Sequence, residues 1–145
     1  MKQILVGLDG SPRAASVLAM ALKMARAQGA KVTLLRSVGL PPDVPQDFWK
    51  TTEEALPELL RHRAQAYLDE CAAGVPADLL AGTEVVIGVP WQAICDAAKH
   101  LRADLVVIGS HGYSGLDRLL GTTAAKVVNH APCTAVVVRE STYDS

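Results

Sequence analysis

The chain has 145 residues, a net charge of −1 and a composition that is 50% hydrophobic but only 4% aromatic. That length suits one domain over residues 1–145, with a core of Val, Leu, Ile and Ala, the palette of a parallel sheet covered by helices. The balanced charge and lack of a basic run argue against a nucleic-acid surface, and no apolar segment approaches the roughly 18 residues of a membrane span.

The N-terminus, Met1-Lys2-Gln3-Ile4, passes straight into a strand pattern and leaves no room for a signal peptide. Three cysteines, Cys71, Cys95 and Cys133, are odd in number and form no C-x-x-C pair. They read as buried free thiols in a reducing, cytoplasmic setting.

In chain order, Gln3 to Leu8 is a buried first strand ended by Asp9-Gly10-Ser11-Pro12. Ser11 followed by Pro12 predicts a helix start, with a capping hydroxyl and proline at the first helical position. Ala14, Val17, Leu18, Ala21, Leu22 and Ala25 then keep helical spacing until Gly29. Lys31 to Val38 is a second strand. Pro41, Pro42 and Pro45 make Gly39 to Lys50 a loop, and loops at strand ends often cover a site. A second helix is expected from about Thr52 to Ala73, with Pro57 either starting its regular part or kinking it. Glu84 to Ile87 is a short third strand. Pro90 opens a third helix carrying Trp91, Ile94, Ala97, Ala98 and Leu101. Leu105 to Ile108 is a fourth strand, Ala124 to His130 a fourth helix, and Ala135 to Val138 a fifth strand after Pro132.

This alternation predicts an α/β fold, an open, Rossmann-like five-stranded parallel sheet with right-handed crossovers and helices on both faces. Ligands of such sheets bind beyond the C-terminal strand ends, where the strand order reverses. If the chain winds outward from strand 1 and returns on its other side, Asp9 and Gly109 face each other across one crevice. Gly109, Ser110, His111 and Gly112 follow the fourth strand directly, and Gly121-Thr122-Thr123 precedes the fourth helix. Glycines let backbone N–H groups approach a ligand closely, and a helix start carries partial positive charge. A phosphate suits that combination.

Other chemistry is less supported. The Walker arrangement of a glycine-rich loop ending in Gly-Lys-Ser/Thr is absent. Ser11 reads as a cap rather than a nucleophile, and Trp91 as a packing or groove residue. His62, His100 and His130 lie on predicted helices without ligand spacing. His111, inside the glycine loop, suits hydrogen bonding better than general-base work, and no metal ligand set is assigned. Arg118 is the only basic side chain between Gly109 and Gly121.

Ile4-Leu5-Val6-Gly7-Leu8-Asp9-Gly10-Ser11 resembles the opening strand and acidic turn of the universal stress protein family. Asp104 to Gly112 is similar to its nucleotide loop, Leu119 to Val128 to the half that follows, and Ala131-Pro132-Cys133 with Val136-Val137-Val138 to its closing strand. The resemblance spans essentially the whole chain. It implies the strand order 3-2-1-4-5 of the adenine nucleotide alpha hydrolase-like folds, an adenine-nucleotide site, and a homodimer through Ala135 to Val138.

Carried over by the same resemblance, Asp9 lies at the adenosine end, near the base or a bound Mg²⁺, and Ser37 contacts the base through its backbone. Gly109, Ser110, His111 and Gly112 line the ribose and phosphates, and Gly121, Thr122 and Thr123 receive the terminal phosphates. Eight residues separate Gly112 from Gly121, one fewer than in the ATP-binding members the motif resembles. The shorter loop from Tyr113 to Leu120 bears on the triphosphate more than on adenine, leaving ATP, ADP and AMP open. The function expected is that of an ATP-binding stress-response protein, a nucleotide-dependent dimeric switch read by a protein partner that the sequence does not name. A slow ATPase and a dimeric interaction protein without nucleotide are the alternatives.

Overall fold

The computed structural model describes residues 2–39, 55–110 and 120–140. Five strands, β1 (Gln3–Gly7), β2 (Lys31–Val38), β3 (Leu80–Ile87), β4 (Leu105–Gly109) and β5 (Thr134–Val138), form one parallel sheet in the order β3-β2-β1-β4-β5. The helices between them are α1 (Ala14–Gln28), α2 (Ala55–Ala73), α3 (Pro90–His100) and α4 (Thr122–His130). The expected fold and strand order are both found.

The central strands are apolar without alternation because helices cover both faces. On one face Ile4, Val6, Val32, Leu34, Leu105 and Val107 pack against Val17, Ala21 and Ala25 of α1 and Leu68 of α2. On the other, Leu5, Leu35, Val106 and Ile108 meet Ile94, Ala97 and Ala98 of α3 and Ala124 and Val127 of α4. Small residues on the helices let them sit close to the sheet. Gly7 shows how close, since a Cβ there would stand 3.1 Å from Ile108 Cγ2 and 3.2 Å from Ile94 Cδ1.

Several boundaries differ from expectation. The first helix begins at Ala14, not at Pro12, and its N-cap Arg13 receives no side-chain cap. Ser11 instead closes a turn, its Oγ accepting from Arg13 N–H at 3.2 Å and its carbonyl from Ala14 N–H at 3.1 Å. A hydroxyl two residues ahead of an N–H serves a local turn as readily as a helix start. Strand β3 begins at Leu80, four residues before the expected Glu84, because pairing with β2 carries the weakly apolar Leu80 to Thr83 into the sheet. Helix α4 begins at Thr122 rather than Ala124. Of the helix expected from about Thr52, the structure describes Ala55–Ala73, which contains Pro57; residues 40–54, with most of the expected loop from Gly39 to Lys50, lie outside the described residues. Gly29 ends α1 in the left-handed region (φ 64°), with Ala30 N–H donating to Ala25 O at 2.9 Å. The three cysteines are free, as expected, but only half-buried, a correction to the buried reading. Burial raises the pKa of Cys95 and Cys133 above the usual thiol value. Among the described residues no helix is long and apolar enough to cross a membrane.

Candidate functional site

Strands β1 and β4 are neighbours although β2 and β3 intervene in sequence, so the order reverses between them. The C-terminal ends of both strands open there, and the residues expected to meet across a crevice, Asp9 and Gly109, follow or end them. His111 and Gly112, with the loop to Leu119 and Arg118 within it, lie outside the described residues. The rest of the expected set can be placed.

At the end of β1 the chain turns sharply. Asp9 Oδ1 accepts from Ser11 N–H at 2.9 Å, and Gly10 takes φ +77°, a conformation that side chains disfavour. The carboxylate is thus oriented by the turn it stabilises. Against Gly10 lies a residue that the sequence reading passed over. The guanidinium of Arg36 packs so closely that a Cβ on Gly10 would stand 3.3 Å from its Nη2. Arg36 Nη1 donates to Ser37 O at 3.1 Å, and its Cζ stands 6.0 Å from the centroid of the Tyr67 ring on α2, within cation–π range. Burial of the Tyr67 hydroxyl, its hydrogen bond with Cys71 and the adjoining thiol and Asp9 charges push its pKa up to about 12, against the opposing pull of Arg36. The only sequence signal for Arg36 was a charge inside an apolar strand, two residues after Leu34.

Ser37 is buried, and its Oγ donates to Gly88 O at 3.0 Å. Backbone polar groups alternate sides along a strand. Leu35 O accepts from Leu8 N–H at 2.9 Å, so Leu35 addresses β1 and Val38, whose carbonyl accepts from Gly88 N–H at 3.0 Å, addresses β3. Ser37, two residues beyond Leu35, addresses the β1 side as well. Pairing with β1 stops at Gly7 opposite Leu35, so the Ser37 backbone edge points past the end of that strand.

At the end of β4, a Cβ on Gly109 would touch Val17 Cγ2 at 3.4 Å. Ser110 is 1% exposed; its N–H donates to Val138 O at 3.0 Å, and its carbonyl accepts from Gly121 N–H at 2.9 Å. The Ser110 backbone therefore ties β4 to β5 and to the start of α4. Its hydroxyl, by contrast, is buried with no hydrogen-bond partner among the described residues. Beside it, α4 starts at Gly121 with no side-chain cap, and Thr122 and Thr123 occupy its first turn. An unpaired buried hydroxyl next to open helix N–H groups offers donors to an anion. Among the described residues no cluster of three or more His, Cys, Asp or Glu side chains is arranged to hold a metal, and Asp9 is the carboxylate at the crevice mouth.

His62, His100 and His130 are all exposed. His62 lies 3.6 Å from Glu58, and His100 lies 3.2 Å from Glu84 on β3. His130 rests against Trp91, ring centroids 4.9 Å apart, while Lys126 Nζ lies 5.1 Å over the same indole. Trp91 is thus a packing residue between α3 and α4.

Residues 1–139 match the universal stress protein family. A universal stress protein of Thermus aquaticus is 36% identical over 142 residues, covering 95% of this chain and 98% of its own. Among solved structures, UspA of Lactobacillus plantarum is 31% identical with a TM-score of 0.77, covering 95% of this chain and 97% of its own. A universal stress protein in complex with cAMP is 25% identical with a TM-score of 0.62, covering 97% and 98%. An Arabidopsis thaliana member with AMP bound shares the fold at 18% identity and a TM-score of 0.62, covering 98% and 94%. With its sheet order and 139 residues of matching sequence, the chain belongs to the universal stress protein family.

Proposed function

We propose that this chain binds an adenine nucleotide in the crevice between β1 and β4 and acts as a nucleotide-dependent regulatory protein. The observation that carries the reading is the buried Ser110 hydroxyl, without a partner among the described residues, beside the uncapped start of α4 at the point where the strand order reverses. A buried hydroxyl without a partner is costly, and a phosphate oxygen accepting from it removes that cost. The adenosine end is assigned to Asp9 and to the Ser37 backbone, and the phosphates to Gly109, Ser110, Gly121, Thr122 and Thr123, with His111 and Gly112 expected to complete the loop. Should Mg²⁺ accompany the phosphates, Asp9 is the described carboxylate able to meet it. The cAMP and AMP seen with relatives support a nucleotide of the adenine class.

These groups favour binding over turnover. Phosphoryl transfer needs a positioned water or base and a cation aimed at the developing charge. Turnover well below the roughly 1–10³ s⁻¹ of ordinary enzymes is therefore expected. Nucleotide released from the pure protein by denaturation, identified by mass spectrometry, tests the assignment. Release of an adenine nucleotide, or micromolar binding of added AMP or ATP in calorimetry, is expected. Neither release nor binding would remove the reading and leave a protein–protein module.

The switch is proposed to work as a homodimer through β5. Val136, Val137 and Val138 form a half-exposed apolar edge, and unpaired edges tend to pair. A groove of about 420 Å³ lined by Ser16, Met20 and Lys23 of α1 with Val138 and Glu140 opens beside it. Ser110 N–H bonds to Val138 O, so the nucleotide crevice and this edge share a hydrogen bond. Val137→Lys should sediment as a monomer; an unchanged dimer would place the interface elsewhere.

A further inference from the structure

Resting on the nucleotide reading above, we infer that Arg36 is a positioning residue for base recognition, fixing the Ser37 carbonyl so that it accepts the exocyclic amine of adenine. Three contacts hold the guanidinium in one place. Nη1 donates to Ser37 O at 3.1 Å, Nη2 lies against the left-handed Gly10, and Cζ sits 6.0 Å from the Tyr67 ring. Ser37 is also held from its other side, because its Oγ donates to Gly88 O at 3.0 Å. The carbonyl that points past the end of β1 is therefore clamped between two strands' worth of polar contacts.

A carbonyl oxygen has two lone pairs. Arg36 takes one and leaves the other for a ligand. A donor can be accepted there, and adenine presents an N–H₂ donor on its exocyclic nitrogen where guanine presents an oxygen acceptor. A guanine oxygen facing the Ser37 carbonyl would meet acceptor against acceptor, and rejecting a base that leaves buried polar groups unpaired is how such sites discriminate. Without Arg36, the strand end beyond Leu35 loses its tether on the β1 side, and the carbonyl can rotate away. Arg36 itself touches no base in this account and acts through Ser37.

The test is the ratio of AMP to GMP affinity, measured by calorimetry on the full chain. The native protein should prefer AMP. Arg36→Met, which keeps the packing stem but has no donor, should lower that ratio roughly tenfold, mainly by weakening AMP, as loss of one charge-assisted hydrogen bond predicts. Arg36→Lys, which restores a charged donor, should recover part of the ratio, less than all because an ammonium lacks the planar fork. If Arg36→Met weakens AMP and GMP in the same proportion, or changes neither, the positioning role is overturned while nucleotide binding stands. A native protein that binds nucleotide without preferring AMP overturns it in the same way. A native protein that binds neither nucleotide removes both readings together. Circular dichroism of Arg36→Met, expected to be native, keeps a folding defect from being read as lost recognition.

Discussion

The two ends of the candidate site are built on opposite plans. At the end of β1 and β2 each polar side chain is engaged within the protein: Asp9 with Ser11 N–H, Ser11 with Arg13 N–H, Arg36 with Ser37 O and Ser37 with Gly88 O. At the end of β4 the commitments are backbone only. Ser110 binds Val138 and Gly121 through its main chain, and its hydroxyl has no partner among the described residues. One end has its side chains held by hydrogen bonds within the protein. The other holds its backbone in place and leaves its side-chain donor and helix start for something else. That division suits the proposed nucleotide, whose base would be read by fixed geometry and whose phosphate by charge-seeking donors.

The sharpest way to break this comparison is Ser110→Ala. Removing the hydroxyl should weaken AMP binding roughly tenfold or more, the scale of one hydrogen bond to a charged group. The same change should leave the urea midpoint of the ligand-free protein unchanged or raise it, because an unpaired buried hydroxyl is lost. A lowered midpoint with unchanged affinity would show that Ser110 serves the fold instead. Gly10→Ala attacks the opposite end. Forcing a side chain into φ +77°, against Arg36, should cost about 1–2 kcal/mol in urea unfolding, with AMP affinity falling in parallel.

Ser37→Ala should cost about 1 kcal/mol, the net worth of one hydrogen bond, as the Gly88 carbonyl loses its donor. Tyr67→Phe sharpens the picture through pH. The Tyr67 pKa rises from 10.0 to about 12 on folding, so its stabilisation is fully present below pH 10.0 and is lost as the pH climbs towards about 12. The phenylalanine variant should show a shallower alkaline decline in melting temperature over that window.

The smallest effect lies at the far end of the sheet. Asp104 Oδ2 accepts from Lys2 N–H at 2.8 Å and Gln3 N–H at 2.9 Å, which hold its pKa below the usual 3.8. Its contribution is present above pH 3.8 and lost as the pH falls through the lower folded value. Asp104→Asn should flatten the acid limb slightly without moving AMP affinity.

Periodicity and punctuation in the sequence determined the strands, the helices and their alternation. Continuous runs such as Leu105 to Ile108 mark strands covered on both faces, and Gly29 and Pro90 mark where helices stop and start. Local chemistry also marked Gly121-Thr122-Thr123 as the approach to a helix, placing its start at Ala124, two residues past the observed start at Thr122. What it could not set were boundaries ruled by pairing. Leu80 to Thr83 joins the sheet because β2 lies alongside, and Ser11 closes a turn because Asp9 and Arg13 are positioned to use it. Arg36 is the clearest case. Its neighbours at the site, Gly10 and Tyr67, are 26 and 31 residues away in sequence, and only the stacking of β1, β2 and α2 brings them to one guanidinium. Patterns of apolar spacing are local and survive in a linear reading, whereas a contact between a charge, a backbone turn and a ring exists only once the chain has folded.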